Sequence, residues 1–281
     1  MAKHVKKPDW LKIDFRSNDQ FAHVNQIVKE HCLNTICTSG RCPNMAECWS
    51  RGTATFMILG EICTRSCKFC NTQTGRPFSP NADEPQQLAE SIKLMQLKHA
   101  VVTAVTRDDL LDQGATHWAA CMSAIKRVNP ETTIEVLIPD FQGKCSLINQ
   151  IIAEKPNIIA HNIETVKRLT PEVRSAAKYD LSLQVLNHIA DSGIPAKSGF
   201  MLGLGETEAE ILQTMDDLRA VGTSILTLGQ YLQPSRQHLP VTAYIHPDKF
   251  AEYKAIGLSK GFRVVESGPL VRSSYHAERH L

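Results

Sequence analysis

Six short runs rich in Val, Ile and Thr recur along the chain: TFMILG (55–60), AVVTAVT (100–106), TIEVLIP (133–139), NIIAHN (157–162), SGFMLG (198–203) and SILTLG (224–229). Runs of this kind suit strands buried in a parallel sheet. The segments between them carry a helical period. Over 86–98, Leu88, Ile92 and Met95 share one face, with Asp83 as the expected N-cap and Gln86 three positions on. Ile211, Met215, Leu218 and Val221 repeat the pattern over 208–221, and a further helix is expected from Pro247 to near Gly261. Alternating strands and helices predict an α/β fold with a parallel sheet. Six units, against the eight of a complete TIM barrel, predict a partial (β/α)6 TIM-like barrel over 55–261. Residues 1–54 and 262–281 fall outside the pattern and are read as N-terminal and C-terminal extensions. No repeat, low-complexity tract or long linker interrupts it.

A chain of 281 residues, 42% hydrophobic, can bury a sizeable core without disulfide or metal support. Its formal charge of +2 argues against nucleic acid as a partner, because phosphate binding needs clustered Lys and Arg. Apolar runs such as AVVTAV fall far short of the roughly 18 residues that suggest a membrane span. The opening MAKHVKKPDW is basic but lacks the apolar stretch of a secretory signal, so a cytoplasmic location is expected.

The cysteines carry the chemistry. Of the 9, seven lie between Cys32 and Cys70. An odd number without a secretion signal is a poor basis for disulfides, and in a reducing compartment close spacing points to metal or catalysis. Cys63, Cys67 and Cys70 form CTRSCKFC, a C-x3-C-x2-C spacing; Cys37, Cys42 and Cys48 form CTSGRCPNMAEC, a C-x4-C-x5-C spacing. Structural zinc commonly takes four ligands in paired knuckles, and neither triplet supplies the second knuckle. Three thiolates on a four-iron cluster leave one iron open for another ligand. Spacing and context favour iron–sulfur for the first triplet, whereas the second, taken alone, suits a cluster or zinc equally. Cys32, Cys121 and Cys145 show no pattern and are read as buried small hydrophobes.

In parallel α/β folds chemistry collects at the carboxyl ends of strands. CTRSCKFC follows the first run, Thr106, Arg107, Asp108 and Asp109 the second, and His161, Asn162 and Glu164 the fourth. Lys197 and Ser198 open the fifth, Gly205 and Glu206 follow it, and Gln230 and Tyr231 follow the sixth. GLGE (203–206) lacks the third glycine of a dinucleotide fingerprint.

The C-x3-C-x2-C loop after the first strand, with Phe69 before its last cysteine, resembles the radical S-adenosylmethionine enzymes. The second triplet and the terminal RSSYHA (272–277) narrow the resemblance to the lipoyl synthase family, supported by TRDDL (106–110), HNIETV (161–166), KSGFMLGLGET (197–207) and GPLVRSSY (268–275). That resemblance implies that Cys63, Cys67 and Cys70 hold a [4Fe-4S] cluster whose open iron chelates S-adenosylmethionine. One-electron reduction then yields a 5′-deoxyadenosyl radical. It also implies that Cys37, Cys42 and Cys48 hold a second, auxiliary [4Fe-4S] cluster with Ser274, rather than Ser273, as its fourth ligand. The resemblance further implies that the auxiliary cluster is consumed as sulfur donor to carbons 6 and 8 of an octanoyl chain, with two S-adenosylmethionine used per lipoyl group. The implied partners are an octanoylated lipoyl carrier domain or glycine-cleavage H protein, and a ferredoxin- or flavodoxin-type electron donor. Thr106, Asn162, Glu164, Lys197 and Ser198 are the expected contacts to S-adenosylmethionine, with Arg272 near the serine loop. The chain departs from the family at Gln113, in Asp112-Gln113-Gly114-Ala115, where a second glycine is usual. The competing readings are a biotin-synthase-like sulfur transferase and a zinc-stabilised binding protein without enzymatic activity.

Overall fold

A computed structural model describes residues 6–12, 18–30, 34–40, 42–50, 54–174 and 176–281, the side chain of residue 20 excepted. Cys32 lies outside the described residues. The chain runs α1 (Asp19–Glu30), α2 (Ile36–Ser39), α3 (Met45–Ser50), β1 (Thr55–Ile58), β2 (Ile62–Cys63), β3 (Gln73–Thr74), α4 (Glu84–Leu94), β4 (His99–Ala104) and α5 (Ala115–Val128). It continues β5 (Thr133–Leu137), α6 (Cys145–Ala153), β6 (Ile158–Ala160), α7 (Thr170–Val173), α8 (Tyr179–Asp191), β7 (Ala196–Leu202), α9 (Glu208–Ala220), β8 (Ile225–Gln230), α10 (Pro247–Ser259) and β9 (Val264–Gly268). β2 and β3 form a small ladder apart from the main sheet.

The main sheet has seven strands in chain order, β1-β4-β5-β6-β7-β8-β9, and every neighbouring pair is parallel. Parallel crossovers are right-handed, so a sheet that never reverses its winding collects its helices on one face. This is the winding of a partial TIM-like barrel. The six expected strands are present, and β9 adds a seventh inside the stretch read as a C-terminal extension. Its apolar signal is only Val264 and Val265; its place is set by pairing with β8, Ile225 opposite Val264.

Strand alternation separates two environments. Ile134 and Val136 of β5 join one apolar cluster, with Ala100 and Val102 of β4 and with helical residues such as Ile92, Trp118 and Ile148. Phe200 and Leu202 of β7 join a second, with Met215, Leu218 and Phe250. The alternate positions point away from these clusters and carry buried polar groups: His99, Thr103, Glu135, Lys197 and Thr227. The interior of the barrel is therefore polar at selected points. The C-terminal segment packs there, and Gly229 shows how closely: a Cβ on it would stand 2.1 Å from the Val271 carbonyl oxygen. The N-terminal region is part of the same body, since Val24, Ile27, Val28 and Trp49 belong to the first cluster.

Local signals behave as their chemistry dictates, with two differences. Asp83 stands at the N-cap of α4 but its side chain makes no capping bond, because its backbone is already in the helical region and a proline occupies the first turn. The helix ends at Leu94, ahead of the expected residue 98, as Gln96 turns left-handed (φ 53°) into β4. Gln113 adopts φ 50° directly before Gly114 at φ 84°, so a glutamine occupies a left-handed turn position that glycine enters more easily.

Candidate active site

The first cysteine loop leaves the carboxyl end of β1 and is tied to the ends of its neighbours by backbone bonds. Thr64 donates its N–H (3.1 Å) and its hydroxyl (2.9 Å) to the Thr106 carbonyl oxygen, and Asp108 N–H donates to Thr64 Oγ1 at 3.1 Å. Cys63 Sγ accepts the N–H groups of Arg65 and Thr106, each at 3.4 Å. On a cluster, such donors to sulfur tune its potential. Burial pushes the Cys70 thiol up, and the nearby sulfurs of Cys67 and Cys63 push in the same direction. A buried thiol such as Cys70, with two further sulfurs beside it, is relieved by a cation among them, so the donor set fits a metal cluster.

Arg65, inside the CTRSC run, is the brace. Its guanidinium makes two hydrogen bonds to Asp108 (2.7 and 2.9 Å) and two to Asp140 (both 2.8 Å), so one side chain anchors the loop to the ends of β4 and β5. Burial pushes the Asp140 carboxyl up, but the Arg65 bonds and charge outweigh it and hold the group below its ordinary value. Arg107 is fully buried and forks onto Asp109 at 2.9 and 2.8 Å. On the far side the loop meets two connections: in that between β6 and β7, Val173 O accepts from Lys68 N–H and Phe69 packs on Val166, Leu169 and Val173, and in that between β8 and β9, Leu239 N–H donates to Lys68 O.

The expected S-adenosylmethionine contacts divide into two groups. Thr106, Asn162 and Glu164 lie just beyond the carboxyl ends of β4 and β6. Asn162 Oδ1 is buried without a protein partner. Glu164 sits at φ 67°, bonded through its backbone to Gly199 and Met201. Burial raises its carboxyl, opposed by the Arg174 charge and an Asn162 hydrogen bond. Lys197 and Ser198 are placed elsewhere. Lys197 is the second residue of the seven in β7, fully buried, with Nζ 2.5 Å from Glu135 Oε1 and 3.2 Å from His280 Nδ1. Ser198 Oγ accepts the Ile163 N–H at 3.2 Å. Glu206 uses its carboxylate on the Gly203 and Leu204 N–H groups, so the GLGE turn satisfies its own amides.

The second triplet is assembled differently. Cys37, Cys42, Cys48 and Ser274 line one cavity together with Ala54, Thr55, His99, Val101 and Arg272. Ala54, Thr55 and His99 stand at the amino ends of β1 and β4, so this cavity and the first cysteine loop lie at opposite ends of β1. Thr55 Oγ1 donates to Ser274 Oγ at 2.8 Å. Asn44 Nδ2 donates to Leu270 O at 2.6 Å, and Tyr275 donates to the Glu47 carboxylate at 3.1 Å, clamping the cysteine loop to the C-terminal segment. Burial, with Cys42 beside it, pushes the Cys37 thiol up to about 11; burial also raises Cys42, against the pull of the Arg272 charge. Three sulfurs, one hydroxyl and one cation around a single cavity fit an anionic cluster.

Of the remaining cysteines, Cys121 is buried as expected and its thiol pushed up by burial, whereas Cys145 is exposed at the start of α6. Among the described residues, the metal-type group whose donor atoms all lie within 4.8 Å is Glu84, His117 and Cys121, outside both loops.

The family model "Radical SAM superfamily" matches residues 57–218. A lipoyl synthase of Bacteroides fragilis is 64% identical over 279 residues, covering 99% of this chain and 97% of its own. The lipoyl synthase of Parabacteroides distasonis is 61% identical over all of both chains. The chain belongs to the lipoyl synthase family. Among solved structures, methylornithine synthase superposes with TM-score 0.57 at 11% identity, over 86% of this chain and 81% of its own. The FeFe-hydrogenase maturase of Carboxydothermus hydrogenoformans gives 0.57 at 13%, over 92% and 77%. These likenesses show the fold. Membership makes the protein a radical S-adenosylmethionine enzyme, a sulfurtransferase that uses iron–sulfur chemistry. Among the described residues no helix is long and apolar enough to cross a membrane.

For a lipoyl synthase family member, the signal that sequence reading passed over was Arg65. It stands between Cys63 and Cys67, and its carboxylate partners Asp108 and Asp140 lie 43 and 75 residues away in the chain.

Proposed function

We propose that the protein inserts sulfur at carbons 6 and 8 of an octanoyl chain carried on a lysine of a lipoyl carrier domain or glycine-cleavage H protein. The observation that carries this reading is the convergence of Cys37, Cys42, Cys48 and Ser274 on one cavity, while a second triplet occupies the other end of β1. Cys63, Cys67 and Cys70 are assigned to a [4Fe-4S] cluster with an iron left open for S-adenosylmethionine. Cys37, Cys42, Cys48 and Ser274 are assigned to an auxiliary [4Fe-4S] cluster. When bound, these groups supply a carbon radical and the sulfur it meets; unactivated C–H bonds demand that, because no side-chain base removes such a proton.

The chain's own residues orient and enclose. Arg65 fixes the first loop on the strand ends. Thr106 directs an N–H at Cys63 and stands with Asn162 and Glu164 at the rim, where the cationic and zwitterionic parts of S-adenosylmethionine find a carboxylate and an unpaired amide oxygen. Strand geometry gives about 10 Å between the ends of β1, a distance that an extended acyl chain bridges through the barrel. The electron donor is assigned to the ferredoxin or flavodoxin class, and the compartment to the cytoplasm.

The test is an anaerobic reaction of cluster-loaded protein with an octanoylated lysine peptide, reductant and S-adenosylmethionine, read by mass. A product carrying two added sulfurs, with about eight irons per chain beforehand, is expected. Saturation at about four irons, or zinc in place of iron, overturns the two-cluster assignment.

A further inference from the structure

Outside both cysteine loops, three metal-binding side chains of different chemistry converge between α4 and α5. Glu84 opens α4, and His117 and Cys121 stand four residues apart on α5, a spacing that puts two side chains on one helix face. One donor atom from each, a carboxylate oxygen, an imidazole nitrogen and Cys121 Sγ, lies within 4.8 Å of the other two. Glu84 Oε2 is 2.6 Å from His117 Nε2 and also accepts the Leu59 N–H at 2.8 Å. Burial is graded across the set. Cys121 is fully buried, whereas the Glu84 and His117 side chains are 16% and 13% exposed. Glu84 also lines a cavity of about 290 Å³ bordered by the exposed Phe78, so water reaches the carboxylate side.

The chemistry of the set selects its occupant. Burial holds the Cys121 thiol protonated, and the Glu84 charge acts in the same direction; a cation between the two relieves both. A thiolate and a carboxylate carry two negative charges and a neutral imidazole none, so a divalent ion leaves the site neutral, which burial favours. One sulfur, one nitrogen and one oxygen suit zinc, whereas calcium and magnesium take oxygen ligands. Three protein ligands and a water complete a tetrahedron. We propose that Glu84, His117 and Cys121 form a zinc site, separate from both cysteine triplets, with water as its fourth ligand. On binding, the Cys121 S–H bond breaks, a zinc–sulfur bond forms, the proton passes to solvent and no electron moves. The imidazole binds through its lone pair and keeps its single proton on the other nitrogen. The ion ties α4 to α5 beside Leu59, whose left-handed backbone (φ 67°) turns the chain from β1 toward the first cysteine loop. Its role is structural: it braces the exit from β1 and takes no part in the chemistry.

The experiment gives the full cluster-loaded chain a slight excess of zinc chloride under anaerobic conditions. After desalting, zinc and iron are counted by mass spectrometry and zinc coordination is read by X-ray absorption. One zinc per chain is expected with the iron content unchanged, its shell holding one sulfur at about 2.3 Å and three nitrogen or oxygen neighbours at about 2.0–2.1 Å. Cys121→Ser and His117→Gln should each lose the zinc and keep the iron. The absorption spectrum of the native chain needs no substitution, so a variant that fails to fold leaves the proposal falsifiable. No retained zinc at unchanged iron overturns it, and the group is then an interhelical hydrogen bond beside a buried thiol. Zinc with two or more sulfurs and a loss of iron also overturns it, since the ion then sits in a cysteine triplet. So does zinc retained equally by Cys121→Ser. The iron content before zinc is added tests the two-cluster assignment separately.

Discussion

The two ends of β1 present the same element, a cysteine triplet, built in two ways. At the carboxyl end the three cysteines lie within eight consecutive residues, and local backbone bonds plus one arginine shape the loop. At the amino end, three cysteines from a helical N-terminal stretch meet a serine more than 220 positions away in the chain. The first site is a property of a loop. The second exists only when both ends of the chain close on the barrel, so it depends on contacts such as Asn44 to Leu270 and Tyr275 to Glu47. A donor held by its own loop is hard to lose, and one delivered by a tail is easily withdrawn.

The largest effects should separate the sites. Cys67→Ala is expected to abolish both cleavage of S-adenosylmethionine and lipoyl formation, while Ser274→Ala leaves cleavage largely intact and impairs sulfur insertion. Assaying both variants for 5′-deoxyadenosine and for product checks this; a native rate of product from Ser274→Ala would refute the ligand assignment.

Next in size is the brace. Arg65→Ala leaves Asp140, 2% exposed, buried without its cation, and should cost about 3–5 kcal/mol in denaturant unfolding. The pH dependence has a definite sign. In the native chain Asp140 titrates below its ordinary 3.8, so its contribution is complete above that value and lost as pH falls through the lowered one. In the variant, burial is opposed only by the Gln142 N–H and the weaker pull of His161, so the group is raised relative to the native chain. The deficit should therefore be greatest at neutral pH and shrink toward pH 4, and a deficit independent of pH would contradict the role given to this pair.

The smaller effects sharpen the contrast. Glu47→Gln weakens a half-exposed clamp on the C-terminal segment. It should change global stability by less than about 1 kcal/mol yet speed proteolysis after residue 270, with the first loop untouched. Gln113→Gly relieves a left-handed backbone (φ 50°) and should raise stability by about 1 kcal/mol or less, read as a shift in thermal midpoint.

Much of this was legible in the residues. Val- and Ile-rich runs announced six strands because strands buried in a parallel sheet need apolar side chains throughout. β9 escaped because two valines beside Glu266 and Ser267 are too little pattern, and pairing with β8 decides its state. The exposed Cys145 differs from the expected burial because a cysteine alone carries no signal of which helix face it occupies. Lys197 and Ser198 illustrate the limit best. Their place in the sequence, at the opening of a strand, was plain, but which buried group Lys197 would meet was not. Glu135 and His280 stand 62 and 83 residues away from it.

By itself the sequence determined the alternating α/β winding and the spacing of the two cysteine triplets, because periodicity fixes element type, whereas Ser274 enters as a ligand from the family resemblance and not from spacing. Tertiary structure alone decided that the triplets occupy opposite ends of one short strand, that Arg65 holds the first loop through Asp108 and Asp140, and that the tail enters the barrel. Those facts depend on which residues meet across the sheet, and burial of apolar faces brings them together without leaving a trace in sequence spacing.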